Sequence, residues 1–178
     1  VVSSVYGNRG FHSFVPRWLK AIRKLETPPA QIIIGTDHPA YESAYESVAE
    51  CTWTYPQAYH LNDAISQATT EWIWICDIDD LAMPDALNGI SDVAADVWQM
   101  GYLRHPDELL HIPPQLGCEG ILAAEKNQLV GGSAFRRDAF EEVGGFPDVA
   151  LQDWALWRRM ARHGMRFESS GRAHFYYN

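Results

Sequence analysis

Positive charge is scarce in this chain. Its 178 residues carry 14 Lys and Arg against 23 Asp and Glu, a formal net charge of −9, and only short runs near residues 17–24 and 158–166 concentrate cations. A surface built to track nucleic-acid phosphates is therefore not expected. Cysteine is scarce too. Cys51, Cys76 and Cys118 are odd in number and widely spaced, which argues against a disulfide framework or a zinc cluster and for a reducing, cytoplasmic compartment. No stretch approaches the roughly 20 uninterrupted apolar residues of a transmembrane helix, so no transmembrane segment is expected. Val1-Val2-Ser3 has neither signal-peptide character nor an initiator methionine, and the sequence reads as trimmed. Internal repeats and low-complexity segments are absent. A chain of this length suits one domain that buries about two-thirds of its unfolded surface.

What is present centres on Glu71-Trp72-Ile73-Trp74-Ile75-Cys76-Asp77-Ile78-Asp79-Asp80. The apolar run is too short for a helix and carries β-branched Ile73 and Ile75, so it predicts a strand buried on both faces. It ends in Asp77, Asp79 and Asp80, just past the carboxyl end of the strand, where open α/β sheets bind ligands. Carboxylates this close repel one another and call for a positive partner. A hard divalent cation, Mn²⁺ or Mg²⁺, fits, because such ions take oxygen ligands and keep waters and substrate phosphates in the rest of their shell. Turn formation and helix capping before Met83-Pro84-Asp85 is the structural alternative for Asp79 and Asp80.

The flanking sequence predicts a strand over residues 1–6, a helix over 11–26 and a second buried strand over 31–35, which ends in the turn Thr36-Asp37-His38-Pro39. A short strand at 51–55, a helix at 61–69 and the central strand follow. This alternation implies an α/β fold with a mostly parallel, Rossmann-like central sheet flanked by helices, its carboxyl strand ends on one rim. Further on, the pattern predicts a helix at 84–94, a strand at 96–103, a hairpin or mobile loop at 104–117, and a strand at 128–136 containing Gly131-Gly132. A short helix at 137–143, a long helix at 151–163 and closing strands at 166–168 and 172–177 complete the chain.

Three stretches in this order resemble the inverting family 2 glycosyltransferases of the GT-A fold, over nearly the whole chain. They are Val2 to Arg9 with Asp37; Leu61-Asn62-Asp63-Ala64-Ile65 with the acidic strand end and Pro84-Asp85-Ala86-Leu87; and Gly131-Gly132-Ser133-Ala134-Phe135-Arg136-Arg137, Val143-Gly144-Gly145-Phe146 and Gln152-Asp153-Trp154. The resemblance implies a single domain, with residues 1–95 as the nucleotide-binding half and 96–178 as the half for the acceptor and the catalytic base. It implies transfer of a sugar from a nucleotide-diphosphate sugar, a UDP-sugar foremost, to a carbohydrate, lipid-linked or protein acceptor. Asp153 would be the base. Tyr6, Asn8, Arg9, Asp37, Asn62, Asp77, Gly131 and Gly132 would contact the donor, Asp79, Asp77 and His174 the metal, and Trp154 and Gln152 the acceptor.

Two departures stand out: Gln152 occupies a position that is commonly Glu, and Gly7 separates Tyr6 from Asn8. Two other readings remain open from the residues themselves. One is a non-catalytic domain that binds a sugar or nucleotide. The other is a phosphatase of the haloacid dehalogenase type with Asp77 as nucleophile, which Leu81 and the absence of a later acidic cluster disfavour. Trp157 reads as core rather than sugar platform.

Overall fold

The computed structural model describes residues 1–5, 11, 13–36, 48–50 and 57–178, the side chains of 36, 48–50 and 57–60 excepted. Three short apolar segments form a parallel sheet in the order β1 (Val2–Val5), β2 (Ile33–Thr36) and β3 (Val48–Glu50). Val2 also bridges in parallel to Ile75, which places the continuation of β4 (Trp72–Trp74) beside β1. The second sheet runs β4-β8-β6-β9-β5, from β5 (Leu81–Ala82), β6 (Val97–Arg104), β8 (Ala134–Arg136) and β9 (Phe167–Tyr177), and β7 (Leu109–His111) pairs with β6. In this sheet β6 and β9 are parallel, whereas β4–β8, β6–β8, β5–β9 and β6–β7 are antiparallel. The α/β class is as expected, but the parallel pattern holds mainly in the first half. Where the chain turns back by a hairpin, as at β6–β7, the strands pair antiparallel.

Among the described residues the helices include α1 (Val15–Ile22), α2 (Gln57–Ser66), α3 (Cys118–Ala123), α4 (Arg137–Glu142) and α5 (Gln152–Arg162). The helix expected at residues 84–94 is instead a chain of turns with one 3-10 turn at Ile90–Asp92. Gly89 at φ 85° breaks the run. The Arg172 guanidinium also takes the carbonyls of Asp85 and Asn88 at 2.8 and 3.3 Å and the Asp85 carboxylate at 2.7 Å, using acceptors a helix would need. The strand expected at 128–136 is confined to β8, the two closing strands are one, and α3 and β5 had no counterpart in the sequence pattern. The segment at 104–117 contains a hairpin anchored at its base, where Gln115 Nε2 donates to the Phe167 carbonyl at 2.8 Å and Ser169 Oγ donates to the Pro113 carbonyl at 2.7 Å.

Residues 73–76 are each no more than 3% exposed, the expected strand buried on both faces. Its alternation splits the interior. Ile73 and Ile75 pack with Leu61, Ile65, Phe135 and Trp157. Trp74, Cys76 and Ile78 pack with Trp18, Ile22, Trp98 and Phe175. Two of the indoles on the second side hydrogen-bond across it: Trp74 Nε1 donates to the Gly132 carbonyl at 2.8 Å and Trp18 Nε1 to the Cys76 carbonyl at 3.1 Å. Between them these contacts fix where the chain emerges at the acidic rim.

Candidate active site

Past β4 the backbone turns, with the Asp80 N–H donating to the Asp77 carbonyl at 3.0 Å, and enters β5. A cavity of about 830 Å³ opens at this rim, and Asp77, Asp80, Gln152 and Asp153 are among its lining. Burial pushes the Asp77 carboxyl up to about 6, with Asp79 and then Asp153 adding repulsion. Burial and then Asp77 push Asp80 up to about 8, although the backbone N–H of Asn178 donates to its Oδ1 at 3.1 Å. Arg17 favours ionised Asp80, but its own hydrogen bond, at 2.8 Å, goes to the main-chain carbonyl of Asp79. These are hard oxygen donors whose charge the protein leaves largely unpaired, so they fit a divalent cation held by one or two carboxylates, with phosphate oxygens and water completing its shell. Among the described residues no group of three or more His, Cys, Asp and Glu side chains is placed to hold a metal ion. An open, shared shell is what this donor set fits.

Asp153 stands in the first turn of α5 and lines the same cavity. Asn127 Nδ2 donates to its Oδ2 at 2.8 Å. The preceding Leu151 sits at φ 56°, a left-handed conformation that turns the chain sharply into the helix. Gly131 lies against this carboxylate: a Cβ there would be 3.5 Å from Asp153 Oδ2. A Cβ on Gly132 would meet the Phe175 ring at 2.8 Å. The glycines were expected to leave room for a transferred sugar; both line the cavity, but the space beside Gly132 is taken by Phe175. They let Asp153 and Phe175 close onto the cavity floor.

Several other expected site residues are placed away from the cavity. His174, expected as a metal ligand, is one. Its ring is buried, edge-on to Trp98 at 4.8 Å, with Nδ1 2.6 Å from the Ala86 carbonyl, and it does not line the cavity. Burial lowers its pKa to about 4, so the ring is neutral, and Nε2 has no hydrogen-bond partner among the described residues. Asn62 holds protein rather than donor: its Nδ2 donates to the Phe146 carbonyl and its Oδ1 accepts the Phe146 N–H, both at 2.9 Å. Trp154 turns from the cavity into a crevice beside Trp157, Leu116 and Ile121, with the Arg158 guanidinium 5.6 Å from its ring. Asp79, expected as a metal ligand, is not in the cavity lining. Its carbonyl is held by Arg17 and the Asn178 side chain, and the tight turn gives the wall position to Asp80.

Asp77, Gln152 and Asp153 line the cavity, and Trp157 is fully buried in the core. Tyr6, Asn8, Arg9 and Asp37 lie outside the described residues. Asn127 and the rings of Tyr102, His111, Phe175 and Tyr177 also line the cavity. Nothing in the sequence marked them except the alternation at Leu109-Leu110-His111-Ile112, which sets His111 and Leu109 on one face.

No protein-family model and no curated protein sequence matches this chain. Its fold is that of solved glycosyltransferase structures. Staphylococcus aureus TarS 1-349 superposes with a TM-score of 0.76 at 15% identity, covering 99% of this chain and 59% of that one. The same TarS segment in complex with UDP-GlcNAc gives 0.75 at 14% identity, covering 98% and 56%. A mannosyltransferase from Pyrobaculum calidifontis, PcManGT, in complex with GDP-Man and Mn²⁺, gives 0.74 at 20% identity, covering 98% and 55%. This chain thus spans somewhat over half the length of each.

Proposed function

We propose that this chain is the catalytic domain of a metal-dependent inverting glycosyltransferase that moves a hexose from a nucleotide-diphosphate sugar, a UDP-sugar foremost, to an acceptor hydroxyl. The observation that carries this is the convergence of Asp77, Asp80 and Asp153 on one cavity at the carboxyl rim of β4. The bound nucleotide sugars in the structural neighbours support it, as does the resemblance of the acidic strand end and the Gln152-Asp153 turn to family 2 enzymes.

Inversion needs one in-line displacement. The acceptor oxygen attacks the anomeric carbon as the bond from that carbon to the diphosphate oxygen breaks, and the hydroxyl proton passes to a base on the attacking side. Asp153 is that base, held by Asn127 so that its carboxylate faces the cavity. Asp77 and Asp80 would hold Mn²⁺ or Mg²⁺, which when bound stabilises charge on the departing diphosphate. Gln152, where an acid is common, leaves Asp153 as the lone carboxylate at the start of α5.

Thermal shift with UDP and GDP, with Mn²⁺ or with EDTA, tests the proposal. A nucleotide at about 100 times its dissociation constant should stabilise the fold by ~2.7 kcal/mol. An equal shift in EDTA would remove the metal from the proposal. No shift with any nucleoside diphosphate would overturn it.

A further inference from the structure

The side of the cavity formed by β6, β7 and β9 is aromatic. Strand register pairs Tyr102 with His111 on one side and Phe175 on the other, and Arg104 with Leu109 and Tyr177. By strand alternation these side chains share one face of the ribbon. The Tyr102 ring stacks on His111 at 4.9 Å between centroids, and lies 5.9 Å from Phe175 and 5.0 Å from Tyr177. All four line the cavity, and Tyr177 is 42% exposed, so the cluster is not closed as a core would be. Tyr177 lies close enough to the acids that, after burial, Asp80 and Asp77 raise its phenol pKa.

We infer that this shelf of Tyr102, His111 and Tyr177 binds the acceptor, and that the acceptor is a saccharide. A pyranose has a rim of hydroxyl donors and a face of C–H groups carrying partial positive charge. The cavity offers the complement of both, with the Asp153 carboxylate to accept a hydroxyl and ring faces to receive the C–H groups. A planar nucleobase would use the rings, but it has no hydroxyl to present to Asp153. The occupant of the shelf shares its cavity with the base Asp153, as the attacking substrate must. The inference rests on the proposed transferase activity and adds its acceptor class.

Saturation-transfer NMR with millimolar methyl glycosides of glucose, galactose, mannose and N-acetylglucosamine tests it, on wild type and on His111→Ala and Tyr177→Ala, in the presence of UDP and Mn²⁺. Tyr102, packed among three rings, is left intact to protect folding. At least one glycoside should receive saturation from wild type, and the signal should fall by about tenfold or more in both variants, as for truncated aromatic anchors. UDP affinity should stay within about twofold, well under the ~1.4 kcal/mol that a tenfold change represents. If no glycoside binds while UDP does, the shelf is not a saccharide site, although the transferase proposal survives. Weakened UDP with undiminished glycoside signal would make the shelf a nucleobase platform and overturn the inference. Glycoside binding lost as expected, in a protein that binds no nucleotide, would keep the shelf and overturn the transferase.

Discussion

Gly144 and Gly145 take φ of 76° and 74°, and a Cβ on Gly145 would meet Asn62 Oδ1 at 2.8 Å and the Phe140 ring at 3.2 Å. Polar groups around this turn are used up internally: Asn62 caps both sides of Phe146, and Arg159 Nη1 donates to the carbonyls of Val143 and Gly145 at 2.8 and 3.3 Å. Gly131 and Gly132 need no left-handed backbone, and Gly131 borders Asp153, whose carboxylate faces open space. Two glycine pairs of equal appearance thus serve different ends. Where polar groups close on one another the segment is scaffold. Where they face a cavity with their charge unpaired, they await a ligand.

The largest expected effect falls on the open side. Asp153→Asn preserves an oxygen for Asn127 and caps a helix about as well, but cannot take a proton. Sugar transfer should drop by about 10²- to 10⁴-fold with the melting temperature and UDP affinity unchanged. Near-normal turnover in the folded variant would end the role of Asp153 as base.

On the closed side, Gly145→Ala forces a left-handed alanine against Asn62. It should cost ~1–3 kcal/mol and lower the melting temperature by about 2–4 °C for each kcal/mol. Gly131→Ala, whose Cβ meets only ordinary contact, should stay within about 1 °C by the same scale. Equal losses in the two would erase the distinction drawn above. Asn62→Ala should likewise destabilise by ~1–3 kcal/mol by stranding the Phe146 N–H and carbonyl. If calorimetry shows that it weakens UDP instead and leaves stability intact, Asn62 belongs to the donor site.

A pH dependence sharpens the comparison further. The carboxyl pKa of Asp80 rises in the fold, so the native state binds the extra proton and the apo protein gains stability that is full below the unfolded carboxyl pKa, near 4. That gain is lost as pH rises through about 8. His174 and the Val1 amine, lowered to about 4 and about 6, titrate in the opposite sense, so the useful quantity is the difference between wild type and Asp80→Asn. Without metal, wild type should lose melting temperature relative to the variant between pH 5 and 8, and Mn²⁺ should reverse the trend. A flat difference curve would show that Asp80 does not titrate in this window.

Much of the fold was legible because its strands are short, apolar and bounded by acids or glycine, as at Trp72-Ile73-Trp74-Ile75 before Asp77. Local pattern failed where distant residues intervene. Residues 84–94 carry helical spacing, yet Arg172, 87 positions from Asp85, captures their carbonyls. In the site, Asp77 was marked by its place at the strand end, and Gln152 and Asp153 by the family resemblance. His174 could not be oriented before the register of β9 was known, since one step of alternation separates an inward histidine from cavity-lining Phe175. Asp79 and Asp80 are adjacent and chemically equal. Only the turn closed by Asp80 N–H on Asp77 decides which one faces the cavity.

The alternation of Ile73, Trp74 and Ile75 between two interiors carries a penalty for insertions and deletions. Removing one residue between Glu71 and Asp77 changes composition little, but it would draw the acids back by about 3.3 Å and exchange the faces of every side chain beyond the deletion. The indole that now donates to the Gly132 carbonyl would turn to the other interior, and the acidic rim would shift with it. Length in this segment is therefore under tighter constraint than residue identity: conservative changes at Ile73 or Ile75 alter packing locally, whereas a single-codon deletion would misplace both the core and the chemistry.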